Sequence, residues 1–352
     1  MNILLIIKLS DNNLNCLIQP LIMAKEVDHI YILRDTRSDL ISDKVTFITN
    51  YACKSNGILR HCYRLREGFR TCRKYKVDIV AGVLIYPHGY IGRIISYFKK
   101  LPYIHIAIAG EREFWVFGRI IEFFNLMVFK NSKTITVTGN KTRSYLLTHR
   151  YTNDRVVVLP NVIDMNKYKD LGNHREYDVI SVSGLDKNKN VLLLLKAIAK
   201  IKSKNIIKAL IIGDGPEFKN LVAESESLGI SSNIRFKGWV RDEKKKIDFY
   251  NSSKIYVLCS KGEGFPLALL EGMASGCVPV VTNVGDITDL VTNGRNGYIL
   301  NDYNNENELA SLIESLINNP EEIIKLSAKA KEVTSKFSFE QVSHIWDNIL
   351  KN

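Results

Sequence analysis

Short apolar runs alternate with amphipathic stretches along the 352 residues of the chain. Runs of this length, separated by helical stretches of about 10–15 residues, are typical of buried strands in parallel, doubly wound sheets. The pattern therefore predicts an α/β protein. The strand candidates are Asn2–Ile7, His29–Leu33, Val45–Ile48, Asp78–Ile85, Tyr103–Ile108, Thr134–Thr138, Asp178–Ser183, Ala209–Ile212, Ile234–Lys237, Ile255–Cys259 and Val278–Thr282.

A polar segment rich in turn-forming residues interrupts this alternation near the middle of the chain. Leu159–Asp164 and Asp170–Arg175 contain proline, asparagine, aspartate and glycine, which is typical of a linker. We place the boundary near residue 168, since each half is long enough for its own core. Ser338–Gln341 has the spacing of a capping box and predicts a final helix. The predicted organisation is 1–168, 169–335 and a terminal helix at 336–352.

Two glutamates, Glu263 and Glu271, have seven residues between them and lie between two strand candidates. The segment is therefore a strand-to-helix turn, at the edge where doubly wound sheets bind ligands. Gly264 allows the backbone to approach a ligand, and Pro266 suits the first helical position. The first-turn N–H groups favour anionic or hydroxyl-rich groups, and two carboxylates can bind hydroxyls at separate points of one long ligand. That geometry suits a sugar nucleotide, although two glutamates can also flank an ordinary loop by chance.

The segment resembles the E-x7-E signature of the retaining glycosyltransferases of family 4, which have the GT-B fold. The resemblance is strong over roughly residues 175–300, because further motifs follow the order of that family: Gly213–Glu217, Phe236–Val240, Glu271–Val280 and Asn293–Gly297. It implies two Rossmann-like domains facing across a cleft. The N-terminal domain would bind the acceptor, the C-terminal domain the nucleotide sugar, and the last helix would cross back to the N-terminal domain.

The resemblance also assigns residues of the donor site. Glu271 would hold the ribose hydroxyls, and Glu263 would face the transferred sugar. Val240 would lie near the base. The first turn of the helix would contribute Gly264, Phe265, Pro266 and Leu267.

The loop after Gly184 is the candidate for holding the diphosphate. The family usually has an arginine just after this glycine, but Leu185 stands here. Lys189 is the best diphosphate ligand and Lys187 a weaker substitute for the arginine, because a lysine does not reproduce the guanidinium fork. The alternative is an exposed pair of lysines on a loop.

Candidate residues of the N-terminal half lie at or near the ends of strands. Relatives often carry a histidine near the reacting carbon, where this chain has Ala109 or Glu111. His105 lies within a strand and is more often structural than catalytic, but both His105 and Glu111 are catalytic candidates. Glu113 and His88 are candidates for binding the acceptor.

The net charge of +12 is concentrated in part of the N-terminal half, because Arg60–Lys76 contains seven lysines and arginines against one glutamate. Nucleic acid is not an expected partner, since the chain has no zinc spacing, RNP-like motif or long basic tail. An anionic membrane surface is a candidate partner for Arg60–Lys76. A solvated helix face is the alternative.

Phe114–Phe129 is apolar on nearly every side, which is typical of a buried helix. The functional alternative is a surface that dips into a membrane beside the basic segment. No uninterrupted apolar run reaches the 18 or so residues needed to span a bilayer. The opening Ile3–Ile7 is too short for a signal-peptide core. The six cysteines form no C-x-x-C pair, so we expect reduced, mostly buried thiols in a cytoplasmic protein, with the inner face of the cell membrane as a candidate site of attachment.

The residues and the resemblance together predict a retaining glycosyltransferase that needs neither metal nor cofactor. No D-x-D pair or metal-binding histidine cluster occurs, so cationic side chains would neutralise the donor diphosphate. A sugar would pass from a nucleotide diphosphate, most simply a UDP-sugar, to a hydroxyl of a saccharide or lipid-linked saccharide in cell-surface polysaccharide synthesis. Two alternatives stay open: a nucleotide-sugar epimerase of similar shape, and a degenerate nucleotide-sugar binder without turnover.

Overall fold

A computed structural model describes residues 1–36, 38, 40–48, 57–115, 118–149, 151–152, 154–201 and 207–351. The chain divides into two compact units. One contains Met1–Val162 together with Phe339–Asn352, and the other contains Ile163–Ser338.

The first unit is built on a seven-stranded, fully parallel sheet. The strand order is β3-β2-β1-β4-β5-β6-β7, so the order reverses between β1 and β4. The strands are β1 (Asn2–Ile6), β2 (His29–Leu33), β3 (Val45–Ile48), β4 (Ile79–Val83), β5 (Tyr103–Ile106), β6 (Thr134–Val137) and β7 (Val156–Val158).

The helices of the first unit cover both faces of this sheet. They are α1 (Asp11–Met23), α2 (Gly57–Lys74), α3 (Tyr90–Lys99), α4 (Arg112–Trp115), α5 (Arg119–Phe129), α6 (Asn140–Thr148) and the terminal α13 (Phe339–Lys351). Helices α1 and α13 share one apolar cluster, in which Leu14 and Ile18 pack together with Trp346. Residues of α2, α3, α5 and α6 pack in a second cluster with other side chains of the same strands.

The second unit has a six-stranded parallel sheet of order β10-β9-β8-β11-β12-β13, which reverses between β8 and β11. Its strands are β8 (Tyr177–Val182), β9 (Ala209–Ile212), β10 (Ile234–Phe236), β11 (Ser253–Leu258), β12 (Val278–Thr282) and β13 (Tyr298–Leu300). Its helices are α7 (Val191–Lys200), α8 (Phe218–Ser227), α9 (Glu243–Asn251), α10 (Leu267–Ala274), α11 (Glu306–Ile317) and α12 (Pro320–Thr334).

The predicted fold class is therefore confirmed: two parallel, doubly wound sheets, with the terminal helix packed on the N-terminal one. Two strands escaped the sequence pattern. β7 and β13 are only three residues long, and each lies at an edge of its sheet.

The expectation that Phe114–Phe129 is a buried helix is wrong. Val116 and Phe117 lie outside the described residues, and the chain forms two helices, the second of which begins after Gly118 at φ +95°. Helix α5 buries Asn125 and Phe129, whereas Ile120 is 74 % exposed and Phe123 62 %. A sequence that is apolar all round gives no sign of which stripe turns inward.

Two smaller expectations concern exposure and thiols. In the basic segment Arg60–Lys76, Arg64 is buried while Arg66 and Arg70 are exposed, so only part of it is a solvated face.

Cys53 lies outside the described residues. Of the other cysteines, all free, Cys259 and Cys277 are buried, but Cys62 is exposed and Cys16 and Cys72 are half-buried, so "mostly buried" is wrong. Within the described ranges, every helix is too short or too polar to cross a bilayer.

Candidate active site

Two loops meet where the order of the second sheet reverses. The loop after β8 carries Lys189 and the loop after β11 carries Glu263, and these strands are neighbours. Lys189 Nζ lies 2.6 Å from Glu263 Oε1, so a cation and a carboxylate that stand 74 residues apart in sequence form an ion pair. Strand reversal points are where parallel sheets bind ligands.

The loop from Gly184 to Asn190 is fixed by its own hydrogen bonds. Asp186 Oδ1 accepts from the backbone N–H groups of Asn188, at 2.8 Å, and Lys189, at 3.1 Å. Asn188 Nδ2 donates to the Gly262 carbonyl at 2.8 Å, which ties this loop to the glutamate loop. Lys187 is exposed and Gly184 half-buried. Leu185, in the place of the family's arginine, is buried in the apolar core and offers no charge.

The glutamate loop is shaped by contacts on both sides of Glu263. Ser260 Oγ donates to the same Oε1 atom at 2.5 Å. Gly285, at φ +56°, lies so close that a β-carbon there would sit 2.0 Å from the Glu263 carbonyl oxygen. The Asp286 N–H donates to the Gly264 carbonyl at 3.0 Å. The backbone around the glutamate is therefore held before any ligand arrives.

Helix α10 begins one residue later than the sequence suggested. Pro266 has an extended backbone and caps the helix, so Leu267 is its first residue. Pro266 and Leu267 are half-buried, while the Phe265 ring is buried 5.2 Å from the Phe337 ring. The Phe265 side chain therefore holds the loop on the core.

Glu271 is buried inside α10 and has two partners from α9. Lys246 Nζ lies 2.9 Å from Oε1, and the Tyr250 hydroxyl donates to Oε2 at 2.9 Å. Burial and the neighbouring carboxylate raise the pKa of Tyr250 well above its ordinary value. Lys246 Nζ also lies 5.3 Å from the centroid of the Tyr168 ring. The carboxylate is thus oriented by a cation and a hydroxyl.

Val240 follows β10 at the same carboxyl edge of the sheet. It is half-buried and packs on the core cluster that also contains Leu269 and Leu270 of α10. Trp239, beside it, is 66 % exposed.

In the first unit, two of the candidate residues form a buried pair. His105 has no exposed surface, and its Nε2 lies 3.1 Å from Glu113 Oε1. Glu113 Oε2 accepts from the backbone N–H groups of Ile108, at 3.1 Å, and Ala109, at 3.2 Å. This places His105 and Glu113 as a buried pair that fixes the loop after β5. Glu111 is half-buried in that loop.

His88 lies in a helical turn, Ile85–Gly89, just after β4. It is buried, and neither ring nitrogen has a hydrogen-bond partner among the residues that the structure describes. Burial, and then the nearby Arg64 guanidinium, lower the pKa of His88 to about 3, while Asp35 opposes them. His88 is therefore neutral at physiological pH.

Acidic and sulfur ligands are not gathered for a metal. Among the described residues, no three histidine, cysteine, aspartate or glutamate side chains cluster so as to hold an ion. The charged groups of the site are instead two carboxylates, each paired with a lysine.

Known proteins resemble this chain in sequence and in fold. Residues 164–333 match the family described as Glycosyl transferases group 1. The whole chain superposes on the crystal structure of Anabaena Alr3699/HepE in complex with UDP and glucose, with a TM-score of 0.79, 18 % identity, and coverage of 100 % of this chain and 99 % of that one. These matches support a glycosyltransferase with the GT-B fold.

Curated relatives support the same assignment. An "uncharacterized glycosyltransferase" of Haemophilus influenzae is 29 % identical over 230 residues, 64 % of this chain and 63 % of that protein. The Escherichia coli UDP-Gal:alpha-D-GlcNAc-diphosphoundecaprenol alpha-1,3-galactosyltransferase is 23 % identical over 306 residues, 80 % of this chain and 76 % of that protein. The chain thus spans under two thirds of the Haemophilus protein's length.

Several residues of this candidate site were not singled out from the sequence. Lys246 and Tyr250 belong to a different helix from Glu271, and Gly285 follows the next strand. Ser260 lies close to the motif in sequence, and its hydroxyl, three residues before Glu263, could have been singled out.

Proposed function

We propose that the chain is a retaining, metal-independent glycosyltransferase. It moves a sugar from a nucleotide diphosphate, a UDP-sugar, to a hydroxyl of a saccharide or lipid-linked saccharide in cell-surface glycan synthesis. The observation that carries this proposal is the joining of Lys189 to Glu263, beside the buried Glu271, at the strand reversal of the second unit.

The donor would bind along this edge in an extended pose. Glu271 would accept from the ribose hydroxyls, since its carboxylate is already desolvated and oriented by Lys246 and Tyr250. The name of the E. coli relative, which specifies UDP-Gal, and the UDP in the Anabaena structure support uridine as the base. Val240 would contact that base from the end of β10.

Cationic side chains would take the part that a metal ion plays in other transferases. Lys189 is the principal diphosphate ligand, because its ammonium group lies at the carboxyl edge and is half-exposed. Lys187 adds a second charge from the exposed side of the loop. The backbone N–H groups of Gly264, Phe265 and Leu267 would complete the anion site.

In the reaction, the bond between the anomeric carbon and the leaving phosphate oxygen breaks as the acceptor oxygen bonds to the same face. The leaving diphosphate oxygen takes the proton of the acceptor hydroxyl, so no separate protein base is needed. Glu263 would face the transferred sugar and stabilise the positive charge that develops on it. The protein's part is then mainly to position the reactants and stabilise charge.

The acceptor would meet the first unit. Glu111 is the proposed contact for its hydroxyl, whereas the buried His105–Glu113 pair positions the loop that carries Glu111. His88, the other acceptor candidate, has both ring nitrogens buried and is not part of the proposed contact. Names of relatives with diphosphoundecaprenol-linked substrates support a lipid-linked acceptor. Such an acceptor favours attachment at the inner face of the cell membrane, with Arg60–Lys76 facing anionic lipid.

The test is turnover of labelled UDP-sugars, with and without saccharide acceptors, followed by NMR of the product's anomeric proton. The proposal predicts transfer with retained anomeric configuration and unchanged rate in EDTA. Epimerisation without acceptor would establish the epimerase instead. Binding of UDP without any turnover would indicate a degenerate binder, for which the buried Leu185 in the arginine's place is the structural argument.

A further inference from the structure

An exposed apolar patch covers two helices of the first unit. Four of its side chains are Ile120, Phe123, Phe124 and Met127, which stand at positions i, i+3, i+4 and i+7 of α5 and so form one stripe. The other two are Tyr97, 71 % exposed, and Phe98, 70 % exposed, in the last turn of α3. We call these six residues the apolar patch. Apolar patches this extended are rare on monomeric proteins and mark interaction sites.

The orientation of α5 is fixed by its inner side. The Tyr90 hydroxyl donates to Asn125 Oδ1 at 2.8 Å, and Asn125 Nδ2 donates to the Phe114 carbonyl at 2.8 Å. The Phe129 ring is buried 4.4 Å from the His105 ring. These contacts hold the apolar stripe outward, so the patch is a built surface of the fold.

Basic side chains adjoin the patch on the side of α2. Arg93 Nε of α3 donates to the Val128 carbonyl of α5 at 3.3 Å, and the Phe98 ring lies 6.3 Å from the Phe69 ring of α2. The patch therefore adjoins α2, whose Arg66, Arg70 and Arg73 are exposed. Residues 57–133 carry fourteen lysines and arginines against five acidic residues, so nine of the chain's twelve excess positive charges lie here.

We infer that the apolar patch inserts into the surface of an anionic bilayer, with the exposed arginines of α2 beside it on the lipid headgroups. A stripe of Ile, Phe and Met next to basic side chains is the composition of helices that lie in a membrane interface. The basic surroundings are complementary to anionic lipid, which attracts each nearby arginine over about a Debye length. This extends the membrane part of the proposed function. The membrane contact is then made mainly by the apolar stripe of α5, and not by the basic segment alone.

The experiment is flotation of the full chain with vesicles of phosphatidylcholine alone or with one third phosphatidylglycerol, at low and high salt. Phe123→Gln together with Phe124→Gln should weaken binding to the anionic vesicles by about 10- to 100-fold, because two aromatic rings no longer leave water. The matched control is Ile41→Gln with Ile324→Gln, which replaces two exposed isoleucines outside the patch and should float as wild type does.

The salt dependence of vesicle binding separates the contribution of charge from that of apolar insertion. Arg66, Arg70 and Arg73 changed to Gln should lose binding mainly at low salt, whereas the phenylalanine variant should be weaker at every salt concentration. Melting temperature and UDP binding of each variant should match wild type, so a failure here is distinct from a failure of the proposed reaction. The inference is overturned if wild type ignores anionic vesicles, or if the phenylalanine variant floats as wild type does. A dimer that only the phenylalanine variant abolishes, without vesicle binding, would assign the patch to a second copy of this chain.

Discussion

The carboxyl edges of the two parallel sheets are prepared to different degrees. In the second unit, Glu263 is paired with Lys189 and Glu271 with Lys246, so each carboxylate is oriented without a ligand. In the first unit, His88 is buried, and its ring nitrogens have no hydrogen-bond partner within the described part of the chain. Glu113 accepts a hydrogen bond from the backbone of the loop that precedes it. The comparison teaches that the two candidate carboxylates of the second unit are each oriented by a lysine, whereas the candidate residues His88 and Glu113 of the first unit have no such pairing with a lysine among the described residues.

Removing Glu263 should produce the largest effect, because the proposed reaction places it where charge develops on the transferred sugar. We expect Glu263→Ala to lower kcat by about 100- to 1000-fold while UDP affinity changes little. Initial rates and calorimetric titration with UDP measure the two quantities. Glu226→Ala, which removes an exposed glutamate of α8, is the control and should keep both. A kcat close to wild type in Glu263→Ala would remove this residue from the reaction centre.

Two glycines test whether the close packing of the backbone around Glu263 affects stability and activity. Gly285 and Gly294 both have positive φ, but a β-carbon meets the Glu263 carbonyl only at Gly285 and open space at Gly294. Alanine at either position should cost about 1–2 kcal/mol of unfolding free energy for the left-handed backbone. Only Gly285→Ala should lose more than this and also lose activity. Urea denaturation and initial rates check both, and equal behaviour of the two variants would contradict the account.

The first unit is probed by pH through His88. Its pKa of about 3 in the fold lies below the ordinary value near 6.5, so the unfolded chain takes up this proton first as pH falls. Stability should therefore drop below pH 6.5, with a slope from this group approaching about 1.4 kcal/mol per pH unit. His88→Phe should be less sensitive between pH 6.5 and 5 in urea denaturation. Identical pH dependence in the two proteins would show that His88 is not held neutral.

The contrast between the units also explains what the sequence could predict. All the strands except β7 and β13 could be predicted, because each is a short apolar run between helices. The E-x7-E segment could be found from the sequence because both glutamates lie in one short stretch, Glu263 in the turn and Glu271 in the helix that follows. Lys246 could not be found in this way, since it reaches Glu271 from another helix 25 residues earlier. The three-residue edge strands β7 and β13 were missed, although the equally short edge strand β10 was predicted, so length alone does not explain these two misses.

Exposure was the other quantity beyond the reach of sequence. Helix α5 carries apolar residues on every side, so its period does not say which stripe is buried. The hydrogen bonds of Asn125 decide this, and they join residues 11 and 35 positions apart. His105 is a similar case, because its partner Glu113 comes from the following helix α4, and the catalytic candidate is instead one half of a buried pair.

The central claim is that Lys189 binds the diphosphate and Glu271 the ribose at one edge of the second sheet. Calorimetric titration of UDP and of uridine, which lacks phosphates, tests it most directly. Lys189→Met should weaken UDP by about tenfold or more and leave uridine unchanged, while Glu271→Ala should weaken both by about 1–3 kcal/mol. Wild-type UDP affinity in Lys189→Met, or wild-type uridine affinity in Glu271→Ala, would contradict the account.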